Sequence, residues 1–332
     1  MMNHVPLWRR IQQQNFTKID EIIQFLELDA AHIAALDCSP DFVLQLPRRL
    51  AEKIQKRTVD DPLFKQFIPL KQEKESYPGF VQDPVQDARF RKAGKLLHKY
   101  AERALIVTTG ACPMHCRFCF RKNFPYKIDY QSFEKEIAYL KSDSTLSEVL
   151  LSGGDPLSLS DATLEHLMNE IAAIDHVQRI RFHTRFPIGI PERIDAGFLT
   201  LLEKCSKQIW FIIHTNHKNE FDDAVWMALK KIQMLGIPVL SQTVLLKGVN
   251  DSVDALKELM EALINHGVMP YYLHQLDRVQ GSGHFEVPPE QGLALIDALL
   301  RVLPGYAIPR YVQEVPGMES KTRITTLPSA IT

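Results

Sequence analysis

Three thiols stand close together in Cys112-Pro113-Met114-His115-Cys116-Arg117-Phe118-Cys119, at the spacing C-x3-C-x2-C. Thiolates are soft ligands, and three in one loop point to a soft metal. Zinc is one candidate, but a structural zinc takes four ligands in paired spacings, and no second Cys/His pair follows at a suitable distance. On this reading His115 points elsewhere. An iron–sulfur cube ordinarily takes four cysteines, so three would leave one iron without a protein ligand and open to a small chelating molecule. An open iron suggests catalysis. The plain alternative is three cysteines packed as small hydrophobes, although Arg117, Arg121 and Lys122 interleave the segment. Cys38 and Cys205 stand alone and bring the total to five, an odd number that does not read as a disulfide framework.

Other polar runs recur downstream. In Ser152-Gly153-Gly154-Asp155-Pro156 the glycine pair lets backbone amides approach a ligand closely, and the acid can receive an ammonium group. The same run also reads as a strand-to-helix turn with Asp155 as a cap. His214-Thr215-Asn216-His217 and Ser241-Gln242-Thr243 offer donors and acceptors, with a satisfied structural histidine as the alternative for His214.

These residues need a frame. Runs rich in β-branched residues at 104–109, 148–152, 179–184, 208–214, 238–245 and 269–276 predict strands, and after the first gap they recur about every 30 residues, the length of a βα unit. Helices are predicted between them at 130–141, 162–174, 192–204, 222–235 and 253–265, several opened by Asp, Ser or Pro. Alternating βα units imply a parallel sheet, in this case an α/β partial (β/α)6 TIM-like barrel whose chemistry lies at the C-terminal strand ends. Residues 1–95 read as a helical region, with helices at 19–28 and 42–56 and a proline-containing stretch over 61–84. The core runs over 96–290. The segment 291–332 adds a helix from about 292, a strand at 307–314 and a loop at 315–323.

Lys+Arg 39 against Asp+Glu 40 gives a net charge of −1, with none of the basic excess of a general nucleic-acid binder or of a protein held on an acidic membrane. The first 16 residues are broken by Pro6, Arg9 and Arg10, and no run of about 18 apolar residues occurs. A cytoplasmic protein is expected.

At the cysteines the chain resembles the cluster loop of the radical S-adenosylmethionine superfamily. The resemblance implies a [4Fe–4S] cluster on Cys112, Cys116 and Cys119, with S-adenosylmethionine on the open iron and cleaved to a 5′-deoxyadenosyl radical. It implies that Ser152, Gly153, Gly154 and Asp155 help bind the methionine amino group. With Tyr271-Tyr272-Leu273-His274-Gln275-Leu276-Asp277 and Gly281-Ser282-Gly283-His284-Phe285, the chain resembles the lysine 2,3-aminomutase family from about residue 96 to residue 323.

Within that family His214 and Gln242 match positions that contact S-adenosylmethionine. His98, Lys99, Tyr100 and Arg103 match a segment that helps hold pyridoxal 5′-phosphate, Lys99 keeping the charge of the relatives' arginine without its planar fork. Lys321 matches the family lysine that carries pyridoxal 5′-phosphate covalently, a role suited to a flexible loop. The loop departs from the free-lysine enzymes, reading Pro316-Gly317-Met318-Glu319-Ser320-Lys321 where they have a run of glycines, which bears on the phosphate contacts. Arg121 matches the arginine that takes the substrate carboxylate, a bidentate pairing. Asp277 and Glu314 match the two acidic positions that hold the distant ammonium of lysine, Glu314 being one methylene longer than the usual aspartate. Two confined carboxylates favour a cationic side chain, so lysine is the expected substrate rather than glutamate.

The reaction implied is migration of the amino group of L-lysine to its β-carbon, giving (R)-β-lysine. The chain stops 11 residues after Lys321, so the zinc-binding extension of the catabolic enzymes is expected to be absent. This, the helical N-terminal region and Asp277-Arg278-Val279-Gln280-Gly281 resemble the bacterial branch in which a dedicated ligase attaches β-lysine to elongation factor P. An external electron donor such as flavodoxin is implied. The alternatives are a catabolic aminomutase, an RNA-modifying radical enzyme, which would need further cysteines, and a non-catalytic iron–sulfur protein that binds RNA or a partner, against which the neutral charge weighs.

Overall fold

The computed structural model describes residues 5–125 and 132–325. Its frame is one sheet of ten strands in sequential order. These are β1 (Arg91–Ala93), β2 (Leu96–Tyr100), β3 (Arg103–Thr109), β4 (Glu148–Gly153), β5 (Arg179–Thr184), β6 (Gln208–His214), β7 (Val239–Val244), β8 (Met269–His274), β9 (Arg310–Gln313) and β10 (Thr322–Arg323). Strands β3 to β9 are parallel. The hairpin β1–β2 adds antiparallel to β3 at one edge, and β10 pairs antiparallel with β9 at the other. Among the described residues the two edges do not pair, and the sheet is a partial barrel with a seam.

The crossovers are helices whose starts are chemically marked. Ser160, Asp195, Asp222 and Ser252 each accept a hydrogen bond from a first-turn amide, opening the helices Asp161–Ala172, Ala196–Lys204, Asp223–Met234 and Val253–Asn265. Gly267, at φ +70°, ends the last of these, with Val268 N donating to Leu263 O and Gly267 N to Ile264 O. The predicted helix 192–204 is shorter than its apolar pattern, because a 3-10 turn at Pro191–Arg193 precedes the Asp195 cap. Residues 130 and 131 of the predicted helix 130–141 lie outside the described residues, and the helix runs Glu134–Ser142. The helix after β8 spans Pro289–Val302, and the strand predicted at 307–314 contracts to β9 because a 3-10 turn occupies Gly305–Ala307.

Residues 5–90 are less helical than predicted. The expected helix 42–56 is reduced to Arg48–Glu52, since Pro47 holds an extended ψ of 138° and removes a helical amide. The 19–28 helix ends at Phe25, and Glu27 takes a left-handed φ of 55°. This region packs over the C-terminal ends of the strands, with Trp8 edge-on to Phe186 at 5.5 Å.

Period-two alternation splits each strand into two faces. On β5 and β6, Ile180, Phe182, Ile209, Phe211 and Ile213 point out under the helices and are all buried. The partner set Arg181, His183, Trp210, Ile212 and His214 lines a cavity of about 950 Å³ inside the barrel. No helix among the described residues is long and apolar enough to cross a membrane.

Phe211, fully buried, meets Phe182 and Phe198 at ring separations of 6.0 and 6.5 Å. Phe211→Ala is expected to lower unfolding stability by about 3–5 kcal/mol, read as a shift in denaturant midpoint. A loss below about 1 kcal/mol would contradict the placement of this face in the core.

Candidate active site

The cysteine loop leaves β3 and lies against the end of β4. Gly154 N donates to Thr109 O at 2.7 Å, and Asp155 N to Ala111 O at 2.9 Å. This approach excludes side chains, because a Cβ on Gly154 would fall 2.4 Å from Ala111 O and one on Gly153 2.8 Å from Thr109 O. Gly153 also has φ +118°. The glycine pair thus seats the backbone that leads into Cys112.

The remainder of the loop is braced by the N-terminal region. Asn15 Nδ2 donates to Pro113 O (2.8 Å), His115 N to Gln45 O (2.9 Å) and Arg117 N to Gln66 O (2.9 Å). Arg117, almost wholly buried, donates to Phe42 O and makes a forked pair with Glu73 at 2.8 and 2.7 Å. His115 stacks on Phe42 at 4.5 Å with Nδ1 2.8 Å from Val43 O, so it is engaged away from the thiols.

Cys112, Cys116 and Cys119 all line the cavity. Burial pushes all three thiols up, Cys119 to about 11, although Arg185 pulls against burial at Cys116. Among the described residues no three His, Cys, Asp or Glu side chains converge as one metal ion requires. A four-iron cube takes each thiolate on a separate iron and supplies the positive charge that three buried thiolates need. The donor set therefore fits a cluster.

Asp155 is buried, and its carboxylate accepts from Leu157 N (3.0 Å), Thr184 Oγ1 (2.7 Å) and Arg185 N (2.8 Å). Burial raises it to about 6 against these bonds. It caps the turn after β4 and ties β4 to β5, so its oxygens are already occupied by the chain.

Deeper in the cavity His183 Nδ1 lies 3.2 Å from His214 Nε2. His183 Nε2, His274 Nε2 and Gln242 Oε1 are buried without a hydrogen-bond partner. Burial pushes His214 down to about 3 and the other two imidazoles well below their ordinary value, so all three are neutral. Unpaired neutral donors and acceptors on one wall suit a polar ligand. Sequence reading gave roles to His214 and Gln242, quoted His274 only within the run 271–277, and missed His183. Alternation from Arg179 and Arg181 to His183 was the available signal.

The remaining residues gather at the seam. Glu314, just past β9, is bonded by Lys99 Nζ and Tyr100 OH from β2, and by Lys321 Nζ at 3.0 Å. Burial raises this carboxyl, but Lys321, Lys99 and Tyr100 together hold it below its ordinary value. Asp277 faces the same space; burial pushes it up to about 7, with Lys321 opposing and Glu314 adding to the rise. Arg121 Nε pairs with Asp87 at 2.7 Å, and Nη1 reaches Ser152 Oγ at 3.5 Å. Arg103 lies over the Tyr100 ring at 4.9 Å, and Arg310 and Arg323 also line the cavity. The structure thus brings the sequence-predicted site residues to the wall of one cavity, except His98, whose Nδ1 is turned to Tyr139 OH at 2.9 Å outside it.

Gly154→Ala must displace the backbone at Gly110–Ala111. Reconstituted protein carrying it is expected to hold several-fold less iron and sulfide than the parent, with unchanged far-UV circular dichroism. Equal iron content would remove the glycine pair from the seating of the loop.

A profile described as the Radical SAM superfamily matches residues 106–263, a span that contains the cysteine loop and the ends of β4 to β7. "L-lysine 2,3-aminomutase" of Escherichia coli (strain K12) is 37% identical over 311 residues, covering 92% of this chain and 91% of that protein. The protein of the same name from Haemophilus influenzae is 38% identical over 284 residues, covering 85% and 84%. That from Clostridium subterminale is 31% identical over 322 residues, covering 96% and 77%. Among solved structures, SuiB of Streptococcus suis bound to S-adenosylmethionine matches with a TM-score of 0.50 at 14% identity, covering 67% of this chain and 52% of that one, a likeness of fold. Similarity over nine tenths of a relative's length, around a three-thiol loop at the mouth of a partial barrel, makes this chain a member of the lysine 2,3-aminomutase family of radical SAM enzymes.

Proposed function

We propose that this chain moves the α-amino group of L-lysine to the neighbouring carbon, giving (R)-β-lysine, with a [4Fe–4S] cluster, S-adenosylmethionine and pyridoxal 5′-phosphate. The observation that carries the reading is that one cavity is lined both by Cys112, Cys116 and Cys119 and by Lys321, some 200 residues later in the chain. When bound, the cluster and S-adenosylmethionine supply reversible hydrogen-atom abstraction, and pyridoxal 5′-phosphate supplies electron delocalisation while nitrogen changes carbon.

The chain's own residues bind and orient. Lys321 presents Nζ inside the cavity to hold the phosphate-bearing cofactor. On β10, Arg323 shares the face of Lys321, since Arg323 pairs with Val312, and Glu314, the next residue on that face just past β9, is bonded by Lys321. Arg323 and Arg310, with Lys99 and Arg103, give the phosphate cationic partners in place of a glycine run. Arg121, steadied by Asp87, faces a substrate carboxylate, and Asp277 faces the distant ammonium. Glu314 can take part in holding that ammonium only after Lys99 and Lys321 turn to the cofactor. His214 and Gln242, joined by His183 and His274, would hold S-adenosylmethionine. Ser152 and the glycine pair shape that end of the cavity.

The three regions divide this work: the N-terminal region braces the cluster loop, 96–290 supply β2 to β8 of the barrel, and the C-terminal segment adds β9 and β10 and brings in Lys321. We place the enzyme in the cytoplasm, reduced by a one-electron donor such as flavodoxin, with its product passed to a ligase for attachment to elongation factor P. The segment 277–281 supports that branch.

Anaerobic reconstitution with iron, sulfide and both organic cofactors, followed by chromatography of lysine against β-lysine, tests the activity. Cys116→Ala and Lys321→Ala should each abolish conversion, and turnover retained by either refutes its assignment. Borohydride should fix pyridoxal phosphate to the parent's Lys321 and leave Lys321→Ala unlabelled by mass spectrometry.

Asp277 provides a pH test. Burial pushes its carboxyl up to about 7, and only the ionised form attracts an ammonium group. Lysine KM is therefore expected to rise by up to about tenfold per pH unit below about 7 and to level off above it. Asp277→Asn should be weak at every pH; a parent profile flat from pH 5.5 to 8 would dissociate Asp277 from the ammonium.

A further inference from the structure

The loop after β5 places a buried cation against one thiol. Arg185 is 7% exposed, and its Nη1 donates to Cys116 Sγ at 2.9 Å. Among the described residues no other side chain donates to Cys112, Cys116 or Cys119 within hydrogen-bonding distance. The guanidinium is fixed from its far side, where Nη2 donates to Gln66 Oε1 at 2.7 Å and to Glu220 Oε2 at 2.9 Å. It lies over the rings of Phe67 and Phe118, at 4.8 and 5.5 Å.

Glu220 is fully buried and has partners of its own. Its Oε1 accepts from Asn216 N (2.8 Å), His217 N (3.0 Å) and Gln66 Nε2 (3.2 Å). Asn216 Nδ2 returns to Gln66 Oε1 at 2.9 Å, and Asn216 Oδ1 accepts from Val244 N at 2.8 Å. Four segments distant in sequence are thus spent on a buried ion pair, an arrangement that gives little net stability over packed apolar residues. Its outcome is directional: one guanidinium hydrogen is aimed at one sulfur.

A cluster that takes up an electron gains one unit of negative charge, and hydrogen bonds or fixed cations at its sulfurs favour that form. We propose that Arg185 is a positioning residue that raises the reduction potential of the cluster by holding a hydrogen-bonded positive charge at Cys116, and that Glu220 limits the rise by partly neutralising that charge. The inference rests on the three-thiol loop holding a [4Fe–4S] cluster. It concerns how readily a one-electron donor reduces that cluster, a property separate from substrate binding.

The test is a potentiometric titration of the reconstituted full-length protein, with dithionite as reductant, redox mediators and detection by electron paramagnetic resonance, in the absence of S-adenosylmethionine. Iron and sulfide are assayed on every sample. Arg185→Met should shift the midpoint to more negative values, Glu220→Gln to more positive ones, and Arg185→Lys should fall between parent and Arg185→Met. Arg193→Met, which removes a second buried arginine, bonded to Leu157 O and Asp161 instead of a thiol, should leave the midpoint at the parent value. Simple disturbance of the loop would move Arg185→Met and Glu220→Gln in the same direction, and that result, or a parental midpoint in both, overturns the proposal. Should Arg185→Met fail to hold a cluster, the opposed or parallel shifts of Glu220→Gln and Arg185→Lys decide it. A parent without four irons and sulfide would instead refute the reading of the loop.

Discussion

Glu314 stands where a sheet that fails to close would leave a gap. Its charge draws Lys99 and Tyr100 from one edge and Lys321 from the other onto a single carboxylate. The Glu314 side chain is 8% exposed and that of Lys99 11%, so the pair lies in a medium where an unpaired ion is costly. Breaking a buried pair by deleting one partner typically costs about 3–5 kcal/mol. That constraint turns a curved sheet into a cavity with a wall, and it puts Lys321 inside the wall. Lys321 itself is 27% exposed, the looser of the two cations, as a group that must exchange partners should be.

The same constraint separates two carboxylates that the residue pattern treats alike. Asp277 lacks a cationic partner within hydrogen-bonding distance among the described residues, and burial dominates it, whereas Glu314 is ringed by three donors and stays ionised. An incoming ammonium ion therefore meets one acid that it must help to ionise and one that it must win from Lys99 and Lys321. The longer side chain of glutamate suits the second task, since it reaches across the seam to β2 while its backbone remains beside β9.

How much of this was legible depended on the range of the interaction. The six predicted strands and the capped helices were readable because alternation, apolar spacing and N-caps are local, and they appear within a residue or two of their expected ends, except that the Asp195-capped helix starts four residues late behind the Pro191–Arg193 turn. The glycine pair was readable as a site of close approach, and the backbone at 109–111 lies directly against it. The hairpin β1–β2 escaped because it is short and its residues, Arg91–Ala93 and Leu96–Tyr100, carry no clean alternation. Glu314 and Lys321 were recognisable only by resemblance, for nothing local marks an acid and a lysine seven residues apart as two sides of a seam.

The N-terminal region shows the opposite case, in which residues without chemistry of their own decide the geometry of those that have it. The cysteine loop forms neither helix nor strand, so its shape must come from neighbours that satisfy its backbone. Asn15, Gln45 and Gln66 do so from outside the barrel, and the Arg117 side chain reaches from the loop to Phe42 O and the Glu73 carboxylate. A loop held this way takes its bracing from the polypeptide itself. Its three thiols are then arranged by some seventy residues of polypeptide whose composition, read alone, suggested nothing beyond a helical preface.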